Sequence, residues 1–311
     1  MNETKVIYLC GSRIGIPVMR DLLFSNQLAV LAIPGDSIDF IVQAKALLQN
    51  STVAVISLSK MDYRQQLTDL IGQYQVNMGI VFGFSYKIPA AVFDLPAKGF
   101  FNIHPGALPA YRGPDPVFRQ IINREHYATI TIHKLDEGMD SGPIVMTDRI
   151  LLKANDTHGM LTTKLAEAAA RLTATLMKLA GLGLDIPSRS QDQSKATYYP
   201  RQTEKEVCIN WQTMEAVDII ALVNACNPWN KGAITFLNNN VIKLLDGYVL
   251  SSHTPSSVLP GTIVSIDEKG VMIAVKGGFQ ICTTIIYMEE GFLPAARLAE
   301  IGIIPGMRFM D

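Results

Sequence analysis

The chain is predicted to fold as an α/β protein with two domains, a doubly wound parallel sheet followed by a small β-barrel. Short apolar segments alternate with amphipathic stretches through the first half of the sequence. The last hundred residues instead contain closely spaced β-rich segments, and a polar stretch separates the two patterns. Alternating strands and helices are typical of βαβ units, whereas several short strands joined by turns are typical of a barrel.

Five apolar segments of the first half are predicted to be strands buried on both faces, because they are β-rich and do not alternate with polar residues. Amphipathic stretches at Ile16–Phe24 and Ile38–Gln49 are predicted helices. The pattern favours a Rossmann-like domain over residues 1–185. The predicted strands are Lys5–Cys10, Leu28–Ile33, Val53–Ile56, Met78–Phe82 and Gly99–Ile103.

The last helix of this domain carries the clearest signals. Residues 155–157 (Asn-Asp-Thr) offer N-caps, and leucine or alanine recurs at three- and four-residue spacing from Leu161. Gly181 and Gly183 follow the periodic stretch. This pattern predicts one helix with a single apolar stripe.

Residues 186–206 are polar and turn-rich, which predicts an interdomain linker. Residues 207–311 are predicted to form the second domain, which starts with a helix at Met214–Ala225 and continues as an OB-type barrel. Asn238–Asn240 is predicted to be a hairpin turn. The predicted strands of this domain are Ala233–Leu237, Val241–Leu250, Gly261–Ile266, Val271–Val275 and Gln280–Met288.

Composition narrows the functional class. The formal net charge of −1 is not the basic excess typical of nucleic-acid binders. The four cysteines are far apart and form no CxxC pair, which favours reduced thiols and neither disulfides nor a zinc site. No leader pattern or long apolar span is evident, so we expect a cytoplasmic protein without a membrane partner.

Polar residues concentrate between Gly99 and Gly142. A buried strand places Asn102 and His104 two residues apart, so both side chains leave one face at its carboxyl end, where α/β sheets bind ligands. A proline-rich loop follows, and a further strand leads into an acidic turn with Asp136, Glu137 and Asp140. A polar side chain in a buried strand requires partners, so this segment is the predicted site.

The chemistry of these residue types suggests acyl transfer to an amine. An asparagine amide can donate a hydrogen bond to a developing oxyanion, and a carboxylate can accept a proton. A histidine beside that carboxylate is expected to have a raised pKa. Ser85, Ser141 and Cys10 are possible nucleophiles without a supporting motif. A zinc site from His104, His133 and Asp140 is not supported by any HxxxH, HxH or CxxC spacing, so no metal is expected. His133 is instead interpreted as a strand residue with a backbone or carboxylate partner.

The segments FNIHPGALPAYRG and TIHKLDEGMDSGPIV resemble the signature of the 10-formyltetrahydrofolate-dependent formyltransferases. The segments CINW, ALVNACNPWNKGA and PGTIVSID are similar to the carboxyl-terminal domain of the methionyl-tRNA formyltransferases in that family. The resemblance implies that Asn102, His104 and Asp140 are catalytic and that 10-formyltetrahydrofolate is the formyl donor. The implied folate-binding residues are Phe84, Ser85, Tyr86, Lys87, Ile88, Pro89, Asp136, Glu137 and Gly138.

The sequence departs from the tRNA-modifying members of the family where they carry a basic loop. The matching stretch, residues 34–50, contains Asp36, Asp39 and the single basic residue Lys45. Residues 204–311 carry seven basic and eleven acidic side chains, a net charge of −4. Binding a tRNA without a basic surface forgoes the counterion release that drives such affinity.

We therefore expect a small amine acceptor, such as an amino sugar nucleotide or a biosynthetic intermediate. One alternative is methionyl-tRNA formyltransferase acting on initiator Met-tRNA, and another is a formyltetrahydrofolate deformylase with water as acceptor. Two loops could contact the acceptor, the glycine-flanked turn after the first strand and the proline-rich loop. The candidate acceptor-binding residues are Gly11, Ser12, Arg13, Arg112, Gly113 and Asp115.

Overall fold

The computed structural model describes residues 4–255 and 257–311. The chain forms two compact units, each with its own sheet. Residues 186–199, part of the predicted linker, belong to the first unit. The first unit comprises Met1–Pro116, Ala128–Ile150 and Thr162–Tyr199, and the second comprises Val117–Tyr127, Leu151–Leu161 and Pro200–Asp311.

A seven-stranded sheet in the order β3-β2-β1-β4-β5-β6-β7 organises the first unit. The five strands from β3 to β5 are parallel, and β6 is antiparallel to β5. All five residues of β1 and of β4 are buried, as the non-alternating apolar runs predict. The strands are β1 (Val6–Cys10), β2 (Leu28–Pro34), β3 (Ala54–Leu58), β4 (Met78–Phe82), β5 (Phe100–His104), β6 (Tyr127–Lys134) and β7 (Ile144–Leu151).

Helices connect these strands in the βαβ pattern that the sequence predicts, so the doubly wound fold is confirmed. The longest helix begins one residue after Thr157, whose hydroxyl accepts a hydrogen bond from Met160 N at 3.2 Å. Most of its predicted apolar stripe is buried: Leu161, Leu165 and Leu176 are fully inaccessible, and Leu172 and Leu179 are half-buried. The helices are α1 (Ile16–Phe24), α2 (Ile38–Leu48), α3 (Tyr63–Gln73), α4 (Ala90–Phe93), α5 (Pro116–Ile122) and α6 (His158–Gly181).

An antiparallel sheet in the order β10-β11-β12-β9-β8 organises the second unit, and β13 pairs with β12. The unit also contains α7 (Ala216–Cys226). The C-terminal segment bridges both edges, because Met310 pairs with Phe236 on β8 and Arg308 pairs with Thr262 beside β10. Linking the two edges in this way is what a small barrel requires. The strands are β8 (Ala233–Leu237), β9 (Asn240–Leu250), β10 (Ile263–Asp267), β11 (Gly270–Ala274), β12 (Gln280–Met288) and β13 (Gly291–Pro294).

Two details of the second unit follow from its sequence. Asn238 and Asn239 have φ angles of 50° and 65°, the left-handed conformation that a two-residue hairpin turn requires. Trp211 is fully buried, stacks on Phe309 at 5.9 Å and donates its indole N–H to Thr235 Oγ1 at 2.9 Å. Trp211 is therefore a core residue of this unit.

Across residues 4–255 and 257–311, no helix combines the length and the hydropathy that crossing a membrane requires.

Candidate active site

Three neighbouring parallel strands bring the predicted site segments to one edge of the sheet. Residues 11–13 follow β1, residues 84–89 follow β4, and β5 ends with Asn102 and His104. The strand order reverses between β1 and β4, since β1 pairs with β2 on one side and with β4 on the other. Ligands of doubly wound sheets bind at such a switch point.

The register between β5 and β6 places His133 directly opposite Asn102. The Asn102 amide nitrogen lies 3.1 Å from His133 Nε2 and 3.3 Å from Asp140 Oδ1. His133 Nδ1 lies 2.8 Å from the Lys134 carbonyl, which can only accept, so Nδ1 carries a proton. The Asp140 carboxylate accepts from the amide NH2 group, which fixes the orientation of the Asn102 carboxamide.

His104 is only 4% exposed, and its two ring nitrogens have different partners. Nε2 lies 2.8 Å from the Tyr111 carbonyl and donates to it, and Nδ1 lies 3.6 Å from Asp140 Oδ2. Burial lowers the pKa of His104 and outweighs the opposite effect of the Asp140 charge. The raised pKa expected from the sequence is therefore wrong.

Asp140 is held as an anion. Burial raises the pKa of its carboxyl group, but the His133 hydrogen bond, the His104 charge and the Gly113 N–H together lower it from 3.8 to about 2. The Gly113 N–H donates to Asp140 Oδ2 at 3.0 Å, so the proline-rich loop contributes directly to the site. The backbone of Asp140 has a φ of 50°, a left-handed conformation that is uncommon for a residue other than glycine.

This arrangement provides an anionic proton acceptor, an amide that donates to it at 3.3 Å and a buried imidazole whose Nδ1 lies 3.6 Å from it. Such a set can stabilise a developing oxyanion and move a proton without a protein nucleophile. Cys10 is fully buried, and burial raises the pKa of its thiol to about 11, so it is not an activated nucleophile. Within the described residues, no three His, Cys, Asp or Glu side chains are arranged to hold a metal ion.

The predicted folate-binding residues lie on two loops that pack against one core. Phe84 and Tyr86, in edge-to-face contact at 5.5 Å, and Leu135 pack against the same apolar cluster. Ser85 and Lys87 are exposed, Ile88 is buried and Pro89 caps α4. In the second loop the Asp136 carboxylate accepts hydrogen bonds from Ser141 Oγ and Gly138 N, and Glu137 is exposed.

The predicted acceptor-binding residues divide between two places. Gly11, Ser12 and Arg13 follow β1, where the Gly11 N–H donates to the Gly83 carbonyl at 3.0 Å and Arg13 is exposed. Gly113 bonds Asp140, and Asp115 is partly buried. Arg112 Nη2 donates to Gln191 Oε1 at 2.7 Å and to Gln193 Oε1 at 3.0 Å, so the described side-chain partners of this cation are neutral.

Two residues of the site were not predicted to be part of it. His133 has the backbone partner that its strand position suggested, but its contact with Asn102 depends on a strand register that spacing alone does not reveal. Gln191 is 7% exposed and lies in the predicted linker, yet it donates to the carbonyls of Asp140 and Gly142, both at 2.8 Å. Its polar neighbourhood gave no signal of burial.

Comparison with known families and sequences places the chain among formyltransferases. Residues 25–176 match the family described as formyl transferase, and residues 201–291 match its C-terminal domain. A methionyl-tRNA formyltransferase from Dictyoglomus thermophilum is 30% identical over 230 residues, covering 74% of this chain and 73% of the relative. One from Chloroflexus aggregans is 32% identical, covering 68% of this chain and 67% of the relative.

Solved structures agree at the level of the fold. HypX from Aquifex aeolicus, in complex with tetrahydrofolic acid, superposes with a TM-score of 0.70 at 15% identity over 96% of this chain, which spans about half (47%) of HypX. An N-formyltransferase from Helicobacter canadensis, in complex with folinic acid and dTDP-3-aminofucose, superposes with a TM-score of 0.70 at 18% identity, covering 90% of this chain and 98% of the other. From its sequence matches, the chain belongs to the formyl transferase family.

Proposed function

We propose that the protein transfers the formyl group of 10-formyltetrahydrofolate to the amine of a small-molecule acceptor. The observation that carries this proposal is the anionic Asp140, bonded to the Asn102 amide and 3.6 Å from the buried His104 ring. Family membership supports the reaction, and the folates bound to HypX and to the Helicobacter canadensis enzyme support the donor.

The reaction exchanges one carbon–nitrogen bond for another. The acceptor nitrogen bonds to the formyl carbon, and the carbonyl oxygen gains negative charge, to which the Asn102 amide donates. The 3.3 Å contact from Asn102 to Asp140 is long for a hydrogen bond, so the oxygen can replace it at small cost. The bond from the formyl carbon to N10 of the folate then breaks.

One proton must move during this exchange, because the acceptor nitrogen loses a proton and N10 gains one. Asp140 is ionised at neutral pH and accepts the proton from the attacked nitrogen, directly or through a water molecule. His104 Nδ1, 3.6 Å away and unprotonated in the neutral ring, shares the proton before N10 receives it.

The folate is assigned to the loops at residues 84–89 and 136–138. Phe84 and Tyr86 offer apolar ring surface beside the catalytic edge, and the exposed backbone of residues 137–138 offers polar groups for a pterin ring. Because β4 lies next to β5, a ligand along the first loop lies next to Asn102 and His104.

The segment that matches the basic loop of the tRNA-modifying family members favours a small acceptor. Only residues 35–37 separate β2 from α2, and this turn contains Asp36 and no basic residue. Exposed apolar side chains of α2, such as Ile38 and Val42, do not suit a phosphate backbone. The sugar nucleotide named with the Helicobacter canadensis structure is the acceptor chemistry we favour.

Initiator Met-tRNA is the second candidate, because the sequence relatives at about 30% identity are methionyl-tRNA formyltransferases. A steady-state assay with 10-formyltetrahydrofolate distinguishes the candidates. We expect turnover with an amino sugar nucleotide and little with Met-tRNA or with water alone. Turnover with Met-tRNA alone would refute the small acceptor, and turnover with water alone would indicate a deformylase.

A further inference from the structure

The segment from residue 189 to residue 199, here called the strap, holds the loops that carry the active site. At one end Arg189 and Ile144 exchange backbone hydrogen bonds at 2.8 and 2.9 Å, which fixes the strap to the start of β7. At the other end Arg112 N donates to the Thr197 carbonyl and Tyr199 N donates to the Arg112 carbonyl, both at 2.9 Å. The strap therefore contacts the end of the loop that carries Asp140 and the proline-rich loop whose Gly113 binds Asp140.

Gln191 is the strap residue nearest to the chemistry. Its Nε2 donates to the Asp140 carbonyl and to the Gly142 carbonyl, each at 2.8 Å, and its Oε1 accepts from Arg112 at 2.7 Å. Gln191 is only 7% exposed; its bond to the Gly142 carbonyl is buried, and its bonds to Asp140 and Arg112 are partly buried. A buried amide with both hydrogens and its oxygen committed can hold only one orientation.

The Asp140 backbone needs such support. Its φ of 50° is a left-handed conformation that is unfavourable for a residue with a side chain. The Gln191 amide bonds the carbonyl of that same residue, and Arg112, held by Gln191, directly precedes Gly113, whose N–H binds the Asp140 carboxylate. One side chain thus fixes the backbone of Asp140 and the loop that binds its carboxylate.

We propose that Gln191 is a positioning residue for catalysis, acting through Asp140. This inference rests on the proposed role of Asp140 as proton acceptor. A positioning residue contributes to kcat, because displacing a catalytic group by about 1 Å lowers the rate by as much as 100-fold. It contributes little to KM, because the described side-chain bonds of Gln191 go to Arg112 and to the carbonyls of Asp140 and Gly142 and to none of the residues assigned to the folate.

The test compares three variants of the full chain. Gln191→Met keeps the length of the side chain and removes every hydrogen bond. Gln191→Glu keeps an acceptor for Arg112 but cannot donate to the carbonyls of Asp140 and Gly142. Gln193→Met is the matched control, since the exposed Gln193 also bonds Arg112 and makes no bond to the Asp140 loop.

We expect Q191M and Q191E to lower kcat by about 10- to 100-fold with KM for folate and acceptor within about threefold, and Q193M to match the wild type. Melting temperatures of all four proteins show whether each is folded, and Q191E serves if Q191M is not. A wild-type kcat in Q191E, or a rise in KM with kcat intact, would overturn the proposal. Retained activity in Asp140→Asn would instead overturn the proposed function.

Discussion

Replacing Asp140 with asparagine tests whether the site is built around an anion. Every neighbour bonded to the carboxylate in the structure is a donor, including Asn102 Nδ2 at 3.3 Å and Gly113 N at 3.0 Å. An asparagine has one acceptor atom and one NH2 group, so one of these donors must face another donor. Asp140→Asn is therefore expected to destabilise the fold as well as abolish turnover.

The size of the expected loss in the free energy of unfolding follows from the pKa of the Asp140 carboxyl group. Because it falls from 3.8 to about 2, folding favours the ionised Asp140 by about 2 kcal/mol. That stability is fully present above about pH 4 and is lost as the pH falls through about 2. The free energy of unfolding of Asp140→Asn should thus be about 2 kcal/mol below that of the wild type at pH 7. At pH 3 the difference should narrow to about 1 kcal/mol.

Urea unfolding followed by far-ultraviolet circular dichroism measures this difference at both pH values. Tryptophan fluorescence would not report on the first unit, because both tryptophans, Trp211 and Trp229, lie in the second. Asp148→Asn is the matched control, since Asp148 pairs with Arg171 at the surface and should contribute less than about 1 kcal/mol. Equal stability of Asp140→Asn and wild type, or a difference that grows toward pH 3, would refute the reasoning.

Three further outcomes are expected. Asn102→Ala should lower kcat by about 100-fold or more in the steady-state formyl transfer assay, with circular dichroism showing that the variant is folded. Gly113→Ala should lower the melting temperature, because the φ of Gly113 is 112° and an added methyl group overlaps the Tyr199 carbonyl. An unchanged melting temperature would contradict this expectation. Thr235→Val should lower the free energy of unfolding, measured by urea unfolding, by about 1–3 kcal/mol, because the buried Trp211 N–H loses its acceptor. Thr203→Val, which changes an exposed helix cap, is its control.

Local patterns were sufficient to predict most of the fold. Strands such as Met78–Phe82 and Ala233–Leu237 have the predicted bounds. A strand buried on both faces is continuously apolar, and a turn such as Asn238–Asn239 needs residues that tolerate positive φ, so both can be recognised from the local sequence. β13, at Gly291–Pro294, was not predicted, since it is short and its alternate residues are exposed. Strand pattern and strand ends located Asn102 and His104 for the same local reasons.

The relations between distant segments could not be predicted in this way. His133 meets Asn102 because of the β5–β6 register, and the pKa of His104 depends on burial that its own segment does not encode. Gln191 was assigned to a linker because polar residues usually face water. Its partners are backbone carbonyls of the Asp140 loop, and a carbonyl leaves no trace in the pattern of side chains.

The low pKa of Asp140 also constrains when it can act. A carboxylate with a pKa of about 2 is a weak base, and it cannot remove a proton from an ammonium group whose pKa is about 8–10. The acceptor must therefore attack as a free amine. In the proposed reaction, a proton leaves the acceptor nitrogen only after it has bonded to the formyl carbon and carries positive charge. At that stage the anionic Asp140 stabilises the new positive charge, and the donors bonded to the carboxylate keep it ionised until then.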